Sequence, residues 1–151
     1  MSGQSLFYIF RIDKRRNVSN LPIKDISIEA QKPFIEKTNL MLSLNKDLQT
    51  EKNNFLNTLQ EEKGIEKITR KLDAFNKLEY DAFKKELAKQ KVKISLGNEN
   101  NEWREYFNTT TQKINELQSQ INQTDKEIDK MVYQLYELTP EEIEIVENSV
   151  K

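Results

Sequence analysis

Glu61, Glu62 and Lys63 stand side by side. Two carboxylates beside an ammonium are the local ingredients of a metal-dependent nuclease, the acids holding magnesium and the lysine placing a water. That chemistry also needs an acid supplied from an adjoining strand, and no suitable Asp lies just upstream. The trio falls instead where a helical pattern runs into Gly64, so it reads as a solvated helix end. The chain has no Cys and no His, which removes thiol nucleophiles, the usual zinc ligands and the commonest general base. Gly3, Gly64 and Gly97 stand alone, so no glycine-rich phosphate loop exists. The sequence therefore assigns no catalytic, metal or cofactor residue to this chain.

Cations offer the next chemistry. Arg70, Lys77, Lys84 and Lys91 recur at intervals of seven. On one continuous helix they would form a positive ribbon opposite Ile68, Leu72 and Phe75, able to follow a phosphate backbone. Glu66, Asp73 and Asp81 sit four residues before Arg70, Lys77 and Lys85, so ion pairing on a solvated face is the competing reading and the favoured one. Arg11, Lys14, Arg15 and Arg16 form a denser cluster beside Phe7, Tyr8 and Phe10, aromatics that can stack on exposed bases. A solubilising tail accounts for that cluster equally well. Charge is uneven overall: residues 66–96 carry nine Lys/Arg against five Asp/Glu, whereas 97–151 carry five against twelve. A polyanion would be drawn to the front and middle of the chain.

These groups need elements to hold them. Only 36% of the 151 residues are apolar and 32% are charged, which suits thin helical layers better than a thick core. Three Gly and three Pro give too little punctuation for a many-stranded sheet. The strongest pattern is a seam through Trp103, Phe107, Thr110, Ile114, Leu117, Ile121, Thr124, Ile128, Met131, Leu135 and Leu138, stepping by four and three throughout. A helix over 103–138 would span roughly 54 Å. Within it Trp103 and Phe107 read as packing anchors, with Tyr133 and Tyr136 flanking the seam. Upstream, Phe34, Met41, Leu48 and Phe55 recur every seven residues, Pro33 kinking the first turn. A second run passes through Ile65, Ile68, Leu72, Phe75, Leu78, Ala82, Phe83 and Leu87.

The predicted fold is all-α: a long antiparallel helical hairpin or three-helix coiled-coil-like bundle with helices near 28–63, 65–91, 98–138 and 140–148. Thr139, Pro140 and Glu142 supply a cap, a first-turn proline and a capping-box acid for the last, short helix. Residues 1–20 read as the end of a truncated recognition domain, in which Ser5–Ile12 is a strand whose partners are elsewhere or, alternatively, a short amphipathic helix, and 21–151 as a helical spacer domain. An intermolecular coiled coil, giving a homodimer, is the competing use of the same seams. The apolar run Leu6–Phe10 is too short to span a bilayer, so the chain reads as soluble and cytoplasmic, with no membrane partner.

Two stretches carry a family resemblance. LPIKDISIEAQKPFIEK (Leu21–Lys37) resembles the segment that, in fused type II restriction-modification DNA adenine methyltransferases and more distantly in type I specificity subunits, leaves the target-recognition domain and enters a long helix. TDKEIDKMVYQLYELTPEEIEIVE (Thr124–Glu147) resembles the final segment of the same enzymes. The matching positions are Leu21, Pro22, Gln31 and Phe34 in the first, and Asp125, Ile128, Asp129, Tyr133, Leu135, Tyr136, Leu138, Thr139 and Ile145 in the second, all structural. Glu137 departs from the pattern, since relatives often carry Gly there. The Asn-Pro-Pro-aromatic motif of adenine methylation is absent, as is a glycine cofactor motif. The resemblance implies a non-catalytic C-terminal specificity and spacer region that positions target recognition on double-stranded DNA. Its partners would be the methyltransferase and recognition modules of a parent protein; a coiled-coil scaffold without a nucleic-acid role is the alternative.

Overall fold

The computed structural model describes residues 28–149, and all regular structure among them is helical. Helix α1 spans Ile28–Lys63, α2 Arg70–Asp73, α3 Tyr80–Lys89, α4 Asn98–Leu135 and α5 Pro140–Ser149, with a 3-10 turn at Phe75–Lys77. The all-α fold with two long helices and a short C-terminal one is thus present. None of these helices is long and apolar enough to cross a membrane. The expected strand Ser5–Ile12, and Arg11, Lys14, Arg15 and Arg16, lie outside the described residues. Helix α1 spans the residues expected of it and carries Pro33 inside its second turn. The described residues divide into two compact units, one of 44–119 and one of 28–43 with 120–149.

In the unit 44–119 the core is built from aromatic rings. Phe55 of α1 stacks on Phe75 with centroids 4.2 Å apart, and meets Phe83, Trp103, Tyr106 and Phe107 at larger tilts. Phe83 stacks on Phe107 at 4.8 Å. Leu59, Leu72, Leu87 and Ile114 close the cluster, each essentially without exposure. Large rings let few residues exclude much water, which is how a chain so rich in charge keeps a dry centre. Helices α1 and α4 run antiparallel here: Lys63 pairs with Glu99 at one end, and Lys113 with Glu51 about three to four turns along. Between these sites the Tyr106 hydroxyl donates to Thr58 Oγ1 at 3.5 Å.

One expectation is corrected in this unit. Residues 65–91 do not form a single helix. Gly64, with φ of 65°, ends α1 by donating its N–H to the Gln60 carbonyl at 2.8 Å, a left-handed turn that suits glycine. Thr69 then caps α2, its hydroxyl accepting from Leu72 N at 3.2 Å. Leu78 is extended, with φ of −100° and ψ of 149°. These breaks turn Leu72, Phe75 and Phe83 toward the same core, so tertiary packing overrides a spacing that fits one helix.

Helix α3 ends in a Schellman motif. Lys91 takes φ of 62°, its N–H donates to the Ala88 carbonyl at 3.0 Å, and Val92 N–H donates to the Leu87 carbonyl at 3.1 Å. The chain then passes through Val92–Ser95 without turn or bend, with Val92 and Ile94 half-buried against the core and Lys93 exposed.

In the unit of 28–43 and 120–149, Lys37 pairs with Glu127, and Thr124, Ile128, Val132 and Val146 are buried. Of the seam residues, Trp103, Phe107, Thr110, Ile114, Thr124 and Ile128 are buried and Leu117, Ile121, Met131 and Leu135 half-buried, while Val132, one position beyond Met131, is the residue fully covered after Ile128. A helix at 3.6 residues per turn drifts away from a strict 3.5 repeat, and the drift has accumulated to one residue. Helix α4 also stops at Leu135, short of Leu138. A second Schellman motif ends it: Glu137 has φ of 50°, Glu137 N–H donates to the Gln134 carbonyl at 3.2 Å and Leu138 N–H to the Tyr133 carbonyl at 3.0 Å. The capping box of α5 forms as its sequence implies, Glu142 N–H donating to Thr139 Oγ1 at 3.2 Å and Thr139 N–H to Glu142 Oε1 at 3.3 Å.

Truncating Phe55 to Ala should cost about 3–5 kcal/mol, because the cavity it leaves is walled by rings from three other elements. Urea unfolding followed by Trp103 fluorescence measures it, and a loss under ~1 kcal/mol contradicts the central place given to this ring. Lys91→Gly and Glu137→Gly, each relieving a left-handed side-chain conformation, should instead stabilise the chain by about 0.5–1 kcal/mol each. Unchanged urea midpoints would contradict that assignment.

Candidate functional site

The acidic trio at the end of α1 is not assembled for catalysis. Glu61 and Glu62 are exposed, and Lys63 is engaged by Glu99 at the start of α4. No cluster of three metal-ligating side chains exists among the described residues. Glu99 accepts from Lys63 and, at 2.6 Å, from the backbone N–H of Ser95. These bonds, the lysine first and the serine next, hold its carboxyl down to about 2. The group therefore fastens the turn before α4 to the end of α1.

The basic ribbon is dissolved by the break in the helix. Arg70 opens α2, Lys77 ends the 3-10 turn, Lys84 lies in α3 and Lys91 occupies the left-handed position after it. Spacing by seven no longer defines a common face across these pieces. The intervening acids choose other partners. Asp73 pairs with Lys52 at 3.5 Å, Asp81 with Lys84 at 3.4 Å, and Glu86 with Lys89 at 2.6 Å and Lys71 at 3.6 Å. The four-residue pairs of Glu66 with Arg70, Asp73 with Lys77 and Asp81 with Lys85 do not form.

In place of the ribbon, the fold gathers lysines around a shallow groove of about 440 Å³ between α3 and the extended segment after it. Lys84, Lys85 and Lys93 rim it with Asp81, and Ala88, Val92 and Ile94 form its floor. Lys84 is held between Asp81 and the face of Tyr80, 5.1 Å from the ring centroid. Tyr80 is itself fixed, its hydroxyl donating to the Asn100 carbonyl at 3.2 Å, and burial pushes its phenol above the ordinary value. Lys85 and Lys93 have no carboxylate within ion-pair distance among the described residues. Of the ribbon residues only Lys84 reaches this groove.

Lys85 and Lys93 are the residues that sequence reading missed. Their signal was present in the run Lys84–Lys93, which holds five Lys against one Glu, and in the alternation Val92, Lys93, Ile94. The aromatics behave as anticipated for core: Trp103 and Phe107 are buried and Tyr106, Tyr133 and Tyr136 half-buried. One further polar group stands out in the other unit, where Asp125 Oδ1 is buried without a hydrogen-bond partner and burial raises its carboxyl above the ordinary range.

Residues 27–132 match a family described as a domain of unknown function, DUF8810, and the chain belongs to that family. No curated protein and no solved structure matches it.

The depressed Glu99 carboxyl gives a pH dependence with a definite sign. Its folded value lies below the unfolded one, so its contribution is present above the unfolded value near 4.5 and is lost as pH falls toward about 2. Glu99→Gln should therefore unfold at lower urea than the parent at pH 7, with the gap closing as both are acidified through that window. Parallel stability curves from pH 6 to about 2 would contradict the assignment.

Proposed function

We propose that the chain is the non-catalytic C-terminal specificity and spacer region of a type II restriction-modification DNA methyltransferase, positioning target recognition on double-stranded DNA. The support from sequence is the likeness of Leu21–Lys37 and Thr124–Glu147 to the corresponding segments of those enzymes. The single observation that carries the reading is that antiparallel α1 and α4 put their apolar residues into one another. Within 44–119, Phe55, Leu59, Trp103, Phe107 and Ile114 are all buried in a shared core. Side chains packed in this way set a distance and an orientation, which is what a reading domain needs from its support. In this reading the partners are DNA, through the parent protein, and the parent's methyltransferase and recognition modules. The chain brings no cofactor of its own and acts in the cytoplasm.

Alone, the chain should bind labelled duplex weakly and without sequence preference, with Kd of about 10⁻⁴–10⁻⁶ M and affinity falling steeply as salt rises. Fluorescence anisotropy at two salt concentrations measures this. Absence of binding at low salt removes the direct DNA contact and leaves a spacer only.

Self-association is a second reading with one observation in its favour. Ile28, Ile35 and Leu42 follow one another at intervals of seven on α1 and are 82%, 54% and 64% exposed. Of the 103–138 seam, Trp103, Phe107 and Ile114 are already buried within one chain. Sedimentation equilibrium separates the readings, a monomer being the outcome expected of the spacer.

A further inference from the structure

We propose that the groove between α3 and Val92–Ser95 is a docking site for an extended acidic segment of a partner protein, added as a strand alongside residues 92–95. The inference is independent of the DNA reading. It rests on three features within the unit 44–119.

The first is an unpaired edge. The Schellman motif at Lys91 turns the chain out of α3 into extended backbone, and no strand lies beside it among the described residues. Val92 N–H is taken by Leu87 and Ser95 N–H by Glu99, whereas the N–H groups of Lys93 and Ile94 have no acceptor among the described residues. Successive amides of such a segment point to opposite edges, so a strand added on the α3 side, toward which Val92 N–H points, meets the open N–H of Ile94.

The second is alternation. Val92 and Ile94 face the core and the groove floor while Lys93 stands at the rim. A strand lying here would present alternate side chains to floor and rim. Apolar residues suit the floor of Ala88, Val92 and Ile94.

The third is charge. Lys85 and Lys93 lack carboxylate partners among the described residues, and Lys84 has only the exposed Asp81. Carboxylates on the partner's other face complete these ion pairs. A phosphodiester chain would satisfy the lysines but leave the apolar floor and the main-chain donors unused, so the peptide is the better fit. The turn that follows carries Leu96, 93% exposed, as one more apolar contact for the same segment.

The test uses the full chain and a short synthetic peptide of alternating Glu and Val, with a Lys-Val counterpart and a duplex oligonucleotide as comparison ligands. Backbone amide resonances report the site. The Glu-Val peptide should shift the Lys93 and Ile94 amides and slow hydrogen exchange at Ile94, the donor on the α3 side. Its affinity should fall about tenfold in Lys85→Glu/Lys93→Glu, a variant whose folding is checked by the unchanged emission of Trp103. The Lys-Val peptide should leave those amides unmoved. Four results would each overturn the proposal: no shift at saturating peptide, equal shifts from both peptides, unchanged affinity in the double variant, or tighter occupation of these amides by the duplex. Duplex binding elsewhere, with the peptide result intact, bears on the DNA reading alone.

Discussion

Phe55 is the residue on which the unit 44–119 turns, because it gathers rings from three other elements of that unit. Phe75 belongs to the 3-10 turn, Phe83 to α3, and Trp103, Tyr106 and Phe107 to α4. Helices as short as α2 and α3 do not persist in water by themselves, since their few internal hydrogen bonds do not offset the cost of nucleation. They exist because Leu72, Phe75, Phe83 and Leu87 find a ready apolar surface on α1 and α4. The long helices depend in turn on the short ones, which cover the ring faces that two antiparallel helices alone would leave wet.

The ion pairs occupy a different place in the balance. Lys63 with Glu99 and Lys113 with Glu51 join α1 to α4, at the surface and not in the core. Pairs that keep contact with solvent, as each of these does through one partner, typically add little to stability, about 0–1 kcal/mol, but like charges opposite one another would disfavour a shifted alignment. Packing drives the association of the helices and charge helps choose its register. Lysines that take no part in this selection are left to the surface, and the fold brings Lys85 and Lys93 to one groove.

The long helices were legible because their signal is redundant. Over Trp103–Ile128 the repeats of 3.5 and 3.6 residues name the same buried positions, and only beyond Ile128 do they part, which is why Val132 is covered more fully than Met131. The middle segment was illegible for a physical reason. Ile65, Ile68, Leu72, Phe75, Phe83 and Leu87 fit a helical stripe, yet its breaks at Thr69 and Leu78 carry neither Gly nor Pro. Those breaks are imposed by where the rings of α1 and α4 lie, information that no local window contains. The cost passed directly to the site: a ribbon inferred from spacing in sevens required a helix that packing does not permit.

What remained readable there was composition, which counts charges but cannot say which are paired. The middle of the chain is basic in sequence and in structure, but Lys52, Lys71, Lys84 and Lys89 each face a carboxylate, and two of these acids, Asp73 and Glu86, lie far along the chain from Lys52 and Lys71. Availability for a partner is therefore a property of the folded chain. The left-handed Lys91 is the clearest case. Its charge was among those singled out by spacing, yet its main consequence is conformational: it turns the backbone so that Lys93 stands at a rim, Val92 and Ile94 form a floor, and the Ile94 amide remains open on the α3 side. A surface fit to hold another chain arises at the one point where α3 is made to stop.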